Sequence, residues 1–372
     1  MIKGVTEPAQ DERFVAAALR YGLRHSGLTG TNPSVATLLV DTSGPVPRIV
    51  GRGVTALGGR PHAERIAIDE AGSAAKGTTA YVTLEPCAHH GVTPPCAEAL
   101  VAAGVRRVVT AFEDPDRRVD GEGHAMLRAA GIEVVEGVLS KEAAHNLAGY
   151  LTRTSQHRPH VHLKLAVSGD GRLGLPGQEI AITGDEVRAQ VHMMRAESDA
   201  ILIGAGTARV DDPSLTCQLN GLSNRSPKRI VLEGEGALPL SLQLFQTARQ
   251  VPTILVAPLA GDDQRRKELE ALGVEILGTE LSEDGVPWPE LLDDLAQMGI
   301  STLLVEGGSK VADSLMGTDY LDRVSLFYSP KTLGVAGIPT PISAAQLLQD
   351  ARFEVSRQAV YGSDEFIEFV KV

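Results

Sequence analysis

The 372-residue sequence predicts two α/β domains in succession. The chain is longer than a single hydrophobic core usually serves. Apolar runs typical of buried strands alternate with helical patterns along both halves, as in layered α/β folds. A polar segment at residues 153–159 is typical of a linker. We therefore expect one domain at residues 1–152 and a second at residues 158–372.

The first domain is predicted to be an α/β sandwich. Its first helix, residues 11–23, carries Phe14, Ala17 and Tyr21 at helical spacing. Pro61 suits the first turn of a later helix. Residues 83–87 resemble a strand that runs into another helix start. Further strands are expected at residues 35–40, from 49, at 80–84 and 105–111, and further helices at residues 97–103, 125–130 and 141–151.

The second domain begins again with a strand. Its expected strands are residues 161–167, 200–203, 229–232, 253–257 and 302–305, with helices at 185–195 and 310–315. Glycine-rich turns at residues 204–207 and 306–309 follow two of these strands, where backbone N–H groups can approach a phosphate. Neither turn has the full G-x-G-x-x-G pattern. Tight turns and a dinucleotide site both remain open on this pattern.

A histidine and two cysteines carry the strongest chemical signal. His62, Cys87 and Cys96 can bind one zinc ion and leave its fourth tetrahedral position open for a water molecule that the metal acidifies. Glu64 is two residues from His62 on the predicted helix, so its side chain lies beside the metal rather than on it. A carboxylate there suits a proton shuttle, as in the zinc deaminases of nucleobases. We therefore predict a catalytic zinc site.

Eight residues separate the two cysteines, where such deaminases have two. The loop, residues 88–95, is expected to lie over the metal. Its His89 and His90 are either substrate contacts or ordinary loop residues, because a second imidazole ligand would close the open position.

Composition excludes several other classes of protein. A net charge of −12 without dense basic runs argues against a nucleic-acid partner. No apolar stretch is long enough to span a bilayer, and the first residues lack the apolar region of a secretory signal. Three cysteines, two of them assigned to metal, indicate a reducing compartment, so we expect a cytoplasmic protein. Cys217 is then a small buried apolar residue.

The motifs together resemble a known family. The residues that carry the resemblance are 61–64, 81–91 and 93–96 in the first half, and 163–166, 170–172, 182–183, 195–196, 199–202, 206–207, 211–213 and 306–308 in the second. They closely resemble the bifunctional riboflavin-biosynthesis deaminase/reductases, the RibD family. The resemblance covers nearly the whole chain. It implies a cytidine-deaminase-like α/β/α sandwich followed by a dihydrofolate-reductase-like α/β domain.

The resemblance also implies two reactions, two cofactors and a set of site residues. Zn²⁺ would serve deamination of 2,5-diamino-6-ribosylamino-4(3H)-pyrimidinone 5′-phosphate, and NADPH would then reduce its ribosyl group to give 5-amino-6-ribitylaminouracil 5′-phosphate. A homo-oligomer formed through the reductase domain is expected. Asn32 matches a substrate position of the deaminase, although a turn residue is the alternative. Matching substrate positions of the reductase are Lys164, Arg195, Leu215 and Glu306, and matching NADPH positions are Ala166, Thr207, Asp211, Gly308 and Ser309.

Departures from the family concentrate in the second half. Glu179, Ala181 and Gln218 stand where the family often has Ser, Trp and Arg, which predicts weaker binding of an anionic substrate. One alternative is therefore a deaminase whose C-terminal domain binds but no longer reduces. Another is a tRNA-editing deaminase, which the acidic charge disfavours. No spacing identifies a clamp for the 2′-phosphate that distinguishes NADPH from NADH.

Overall fold

A computed structural model describes residues 7–91, 94–234, 236–258, 263–279 and 286–372 of the chain. The chain divides into two compact units, Met1–His157 and Arg158–Val372. Both units are mixed α/β, as predicted. No helix of the described ranges is both long and apolar enough to cross a membrane.

The first unit is built on a five-stranded sheet of order β2-β1-β3-β4-β5, in which β1 pairs antiparallel with β2 and β3 and the other pairs are parallel. Its strands are β1 Ala36–Asp41, β2 Arg48–Val54, β3 Thr79–Val82, β4 Arg107–Thr110 and β5 Glu133–Val135. Its helices are α1 Glu7–Gly22, α2 Ala63–Ala71, α3 Cys96–Ala102, α4 Glu122–Ala129 and α5 Ser140–Gln156.

Helices cover both faces of this sheet. Leu39 of β1 packs in a core with α2, α3 and α4, whereas Leu38 and Val40 face a second core with α1 and with Ala143 of α5. Alternate side chains of a strand point to opposite faces, so one apolar strand feeds both cores. The predicted α/β/α sandwich is confirmed.

The helix α2 approaches the sheet closely because two glycines lie beneath it. A Cβ atom at Gly53 would come within 1.9 Å of the carbonyl oxygen of Ala63, and one at Gly51 within 2.2 Å of that of Ala67. Only glycine permits this approach. The start of α2, where His62 and Glu64 lie, is thereby fixed against β2.

The second unit has a nine-stranded sheet of order β10-β9-β8-β7-β11-β6-β12-β14-β13. All pairs are parallel except β12 with β14 and β14 with β13. The strands are β6 His160–Ser168, β7 Ala200–Gly204, β8 Lys228–Leu232, β9 Thr253–Pro258, β10 Val274–Thr279, β11 Thr302–Val305, β12 Leu321–Ser329, β13 Phe353–Tyr361 and β14 Asp364–Lys371. The helices are α6 Asp185–Ala196, α7 Ala205–Asp211, α8 Gln243–Gln246, α9 Asp263–Leu272, α10 Trp288–Gln297, α11 Ser309–Met316 and α12 Ala344–Gln349.

Two cores again lie on opposite faces of the sheet. Ala200 and Leu202 of β7 pack with α10 and α11, whereas Ile201 and Ile203 pack with α6 and α8. The second predicted α/β domain is confirmed.

Several local predictions are wrong. Residues 153–156, expected in the linker, form the last turn of α5. The helix ends only at His157, whose backbone adopts the left-handed conformation. Pro61 precedes α2 rather than opening it, and its peptide bond with Arg60 is cis. The predicted turn at residues 204–207 is instead the start of the short helix α7.

Candidate active sites

Three potential metal ligands of the first unit converge. Nδ1 of His62 lies 3.7 Å from Sγ of Cys87 and 3.4 Å from Sγ of Cys96. All three atoms lie within 4.8 Å of one another. Zinc bonds of about 2.0 Å to nitrogen and about 2.3 Å to sulfur, arranged tetrahedrally, require ligand separations of this order. The imidazole and the two sulfurs therefore fit one zinc ion.

Helix starts hold two of these ligands. His62 is the N-cap residue of α2, and Cys96 is the first residue of α3, after Pro95. Cys87 lies in the loop after β3, so the helix start predicted there is wrong. The backbone N–H of Cys96 donates to Sγ of Cys87 at 3.3 Å. This hydrogen bond joins the two ends of the inserted loop and favours the Cys87 thiolate.

Glu64 lies beside the ligands in the first turn of α2 and is 4% exposed. Burial, and next the negative charge of Cys87, raise the pKa of Glu64 to about 7. A hydrogen bond from Cys96 lowers the pKa of the Cys87 thiol to about 4, whereas the same pairing raises the pKa of Cys96. The site thus holds a carboxyl group that can take up or release a proton near neutral pH.

Asn32 lies in a turn, and its side chain packs next to the segment that leads to His62. The backbone N–H of Asn32 donates to the carbonyl oxygen of Thr29 at 3.3 Å, which closes the turn. Gly59 has a φ of +92°, and a Cβ atom there would lie 2.2 Å from Nδ2 of Asn32. This position is compatible with both predictions for Asn32, a turn former and a substrate contact.

Neither His89 nor His90 belongs to the ligand cluster found among the described residues. Nε2 of His90 lies 3.6 Å from Oε2 of Glu98 on an exposed surface. His89 is half-buried, and its Nδ1 has no hydrogen-bond partner within the ranges that the structure describes. Val92 and Thr93 of the same predicted loop lie outside the described residues.

Glu85 is a residue whose role the sequence did not reveal. Its side chain is buried, and its carboxylate accepts four backbone N–H groups, at 2.9 to 3.2 Å, from Asp114, Gly121, Gly123 and His124. A Cβ atom at Gly123 would lie 2.0 Å from the carbonyl oxygen of Pro86. Glu85 therefore fixes residues 114–124 directly beside the loop that contains Cys87. The only signal in the sequence was a charged residue at the end of a buried strand.

In the second unit, three predicted substrate residues form one ion cluster. Glu306 accepts two hydrogen bonds from Arg195, at 2.7 and 3.0 Å, and lies 3.7 Å from Nζ of Lys164. Burial alone would raise the pKa of Glu306, but Arg195 and Lys164 lower it to about 2. Burial in turn lowers the pKa of Lys164. The cluster joins β6, the end of β11 and the last turn of α6.

Four predicted NADPH residues lie just beyond the carboxyl ends of the neighbouring strands β7 and β11. Thr207 and Asp211 lie on α7, Gly308 is the N-cap residue of α11, and Ser309 is its first residue. A Cβ atom at Gly308 would lie 3.3 Å from Oγ1 of Thr207, so the two glycine-rich segments meet. Ala166 lies on the adjacent strand β6. This edge of a parallel sheet is where α/β domains commonly bind ligands.

The side chain of Leu215 lies in the core rather than at a surface open to a ligand. Its side chain is 2% exposed and packs in the core beneath β7 and β8, while its backbone has a φ of +53°. A non-glycine residue seldom adopts this conformation. Any substrate contact of Leu215 therefore falls to its backbone. The neighbouring Thr216 carbonyl oxygen accepts a hydrogen bond from Arg195 at 3.1 Å.

The three departures from the family are all exposed. Burial, and next the charge of Glu179, raise the pKa of Asp211, so Glu179 lies near a predicted NADPH residue. The carbonyl oxygen of Ala181 accepts a hydrogen bond from Lys331 at 3.0 Å. Gln218 donates to Oγ of Ser214 at 3.2 Å. None of the three belongs to the Lys164, Arg195 and Glu306 cluster.

Both halves of the chain match known families. Residues 8–112 match the cytidine and deoxycytidylate deaminase zinc-binding region, and residues 159–365 match the RibD C-terminal domain. The riboflavin biosynthesis protein RibD of Aquifex aeolicus is 37% identical over 325 residues, covering 87% of this chain and 88% of the relative. That of Escherichia coli is 34% identical over 369 residues, covering 97% and 99%.

Solved structures give the same relation. RibD of Acinetobacter baumannii superimposes with a TM-score of 0.85 at 33% identity, covering 98% of this chain and 100% of that one. A diaminohydroxyphosphoribosylaminopyrimidine deaminase/5-amino-6-(5-phosphoribosylamino)uracil reductase of Thermotoga maritima gives a TM-score of 0.84 at 32% identity, with coverage of 99% and 100%.

The folds and sites together define a class of two-domain enzymes in which a zinc-dependent deaminase precedes an NADPH-dependent reductase. Relatives above 30% identity cover most of the chain and most of their own lengths. The chain belongs to the RibD family of bifunctional riboflavin-biosynthesis enzymes. This finding decides against a tRNA-editing deaminase. The substrates of this chain are small molecules.

Proposed function

We propose that the first unit deaminates 2,5-diamino-6-ribosylamino-4(3H)-pyrimidinone 5′-phosphate at the site of His62, Cys87, Cys96 and Glu64. The observation that carries the proposal is the convergence of one imidazole and two thiols beside a buried carboxyl group. Zinc bound to the three ligands supplies a Lewis acid that lowers the pKa of a water molecule.

Glu64 is the proposed proton carrier of this reaction. Replacement of the ring amine by oxygen requires removal of a proton from water and delivery of one to the departing nitrogen. A carboxyl group buried beside the metal ligands can do both. Its buried position keeps bulk water from competing for the proton. Asn32, beside the segment before His62, is proposed to contact the pyrimidine nucleotide.

Replacing Glu64 with Gln tests this assignment. We expect Glu64→Gln to retain zinc, because its ligands are unchanged, and to release ammonia about 10²- to 10⁴-fold more slowly. Zinc is measured by elemental analysis and ammonia by a coupled assay. Asp69→Asn, at an exposed position of the same helix, is the control and is expected to behave as the wild type. Normal ammonia release by Glu64→Gln would exclude Glu64 as the proton carrier.

For the second unit we propose reduction of the ribosyl group to ribityl, with Lys164, Arg195 and Glu306 orienting the sugar and its phosphate. Glu306 holds the guanidinium of Arg195 in a bidentate pair. Nζ of Lys164 lies 3.7 Å from Glu306, longer than a typical hydrogen bond, so its donors can turn to a ligand. The backbone at Leu215 completes the proposed substrate contacts.

The proposed nicotinamide site comprises Ala166, Thr207, Asp211, Gly308 and Ser309. NADPH bound there supplies the hydride. The N-cap glycine and the free N–H groups at the start of α11 favour a phosphate group. Hydroxyl groups of Thr207 and Ser309 add donors at the same edge of the sheet.

We also propose domains of residues 1–152 and 158–372, with residues 153–156 completing the last helix of the first domain, and a homo-oligomer formed through the reductase. Strand β13 is the last strand of its sheet, and it exposes Val355 and Val360. An edge strand that exposes apolar side chains can pair with another chain. Light scattering on the purified protein measures the oligomeric state.

The free cysteines Cys87, Cys96 and Cys217 support the proposal of a reducing, cytoplasmic compartment.

A further inference from the structure

A second group of metal-binding residue types lies in the first unit and shares no residue with the zinc site. Glu113 follows β4, His124 lies in α4, and Glu136 follows β5. One ligand atom from each of the three lies within 4.8 Å of the other two. Strands β4 and β5 are parallel neighbours, so the fold brings their carboxyl ends to one edge, next to the start of α4.

His124 is the buried member of the group. It is 1% exposed, and Nδ1 of its ring makes no hydrogen bond within the described residues. Nδ1 lies 3.7 Å from Oε2 of Glu136, which is too long for a hydrogen bond. Burying a polar atom without a partner is unfavourable. A cation between Nδ1 and the carboxylates would remove this cost.

The other ring nitrogen of His124 is already placed as in metal sites. Nε2 lies 3.0 Å from Oγ1 of Thr110, a fully buried hydroxyl group. With the hydrogen on Nε2, the ring donates to Thr110 and presents a lone pair on Nδ1. Histidine ligands commonly have their second nitrogen oriented by a hydrogen bond in this way.

The charges around Nδ1 also favour a cation. Oε1 of Glu85 lies 3.8 Å away, but it already accepts the N–H groups of Gly123 and His124, so it contributes charge rather than a ligand. Arg128 pairs with Oε1 of Glu136 and leaves Oε2 facing His124. Three carboxylates, those of Glu85, Glu113 and Glu136, therefore lie near Nδ1 together with one guanidinium, that of Arg128. Glu113 and Glu136 are exposed, which gives an ion access from solvent.

We propose that Glu113, His124 and Glu136 form a second divalent-cation site, with one nitrogen and two carboxylate ligands, for a borderline transition ion such as Zn²⁺ or Co²⁺. The ion would link the ends of β4 and β5 to α4, and so brace the segment that Glu85 holds beside Cys87.

Metal titration of the full chain tests the proposal. Metal-free protein is titrated with Co²⁺ while the visible spectrum and the bound metal per chain are recorded. The His62, Cys87 and Cys96 site gives intense thiolate-to-cobalt bands, whereas a site without sulfur does not. We expect a second equivalent to bind after those bands saturate. Glu113→Gln and Glu136→Gln, both exposed positions, should weaken that second equivalent at least about tenfold and leave the thiolate bands unchanged.

Glu122→Gln is the matched control, because it changes an exposed carboxylate of α4, the helix of His124. This variant should still bind the second equivalent. Saturation at one equivalent in the wild type would overturn the proposal. So would a second equivalent that binds equally well to Glu113→Gln, Glu136→Gln and Glu122→Gln. His124→Gln provides a further check, because its circular dichroism spectrum separates loss of the ligand from loss of the fold.

Discussion

Buried carboxylates serve different purposes in this chain. Glu64 has few compensating partners, and its pKa rises to about 7. Glu306 is paired with two cations, and its pKa falls to about 2. Glu85 accepts four backbone N–H groups from one segment. The partners of each carboxylate, rather than its burial, therefore decide whether it carries protons, holds side chains or holds backbone.

At Glu85 we predict that substitution by Gln loosens residues 114–124. Gln has one acceptor oxygen in place of two and no charge, so some of the four N–H groups lose their partner, at a cost of about 1–3 kcal/mol each. Hydrogen exchange measured by mass spectrometry should become faster in this segment. The exposed Glu142→Gln is the control. Unchanged exchange in Glu85→Gln would show that the segment is held by other contacts.

At Glu306 we predict a stability effect that depends on pH. Its folded pKa, about 2, lies below the ordinary value of 4.5, so the ionised group stabilises the fold above pH 4.5. That contribution disappears as the pH falls from 4.5 towards 2. Glu306→Gln leaves Arg195 and Lys164 without their counter-charge, which costs about 3–5 kcal/mol for a buried pair.

Calorimetry between pH 2 and 7 measures this effect as a melting temperature. The deficit of Glu306→Gln relative to the wild type should be largest above pH 4.5 and should shrink towards pH 2. Glu290→Gln, at an exposed position of α10, should show no such trend. A deficit that stays constant with pH would contradict the assigned charge of Glu306.

On the scale of elements, the contact of α2 with β2 positions the deaminase site. Because a Cβ atom at Gly53 would meet the Ala63 carbonyl oxygen at 1.9 Å, Gly53→Ala must displace the start of α2. We predict a loss of about 1–3 kcal/mol in stability, typical of overpacking, together with weaker zinc retention because His62 moves. Thermal melting and zinc analysis after dialysis measure the two effects.

Gly44→Ala is the matched control for this prediction. Gly44 lies in the turn between β1 and β2, and the nearest atom to a Cβ there is 4.0 Å away. It should melt and retain zinc as the wild type does. Normal zinc retention by Gly53→Ala would show that His62 does not depend on this helix contact.

Elements with regular apolar patterns could be predicted from sequence, and others could not. Strand β7 is a continuous apolar run and β1 is a largely apolar one, and both were predicted within a few residues. The strand β13 was missed because most of its residues are exposed and the polar residues 356–358 interrupt its apolar pattern. Pro61 was placed inside α2 because sequence alone cannot distinguish a proline before a helix from one in its first turn.

The sites divide in the same way. One histidine and two cysteines are typical zinc ligands, so the residue types of His62, Cys87 and Cys96 predicted the site although the spacing of the cysteines is unusual. The role of Glu85 depends on backbone N–H groups 29 to 39 residues further along, which carry no signal in the sequence. The burial of the Leu215 side chain likewise follows from packing of the whole second unit.

At the scale of the whole molecule, each unit has its own sheet, its own two cores and its own site. Both sites draw on residues just beyond the carboxyl ends of parallel strands: the Cys87 loop follows β3, and the Glu306 turn follows β11. The family matches place the deaminase zinc-binding region in the first unit and the RibD C-terminal domain in the second.

Product analysis over time tests this two-step account most directly. The purified chain is given the diaminopyrimidine nucleotide alone, with NADPH, or with NADH, and products are identified by mass spectrometry. We expect ammonia and the deaminated, unreduced nucleotide without cofactor, and the deaminated ribityl product with NADPH, accompanied by NADPH oxidation. Deamination without any substrate-dependent oxidation of either cofactor would contradict the account and leave a second unit that binds but does not reduce.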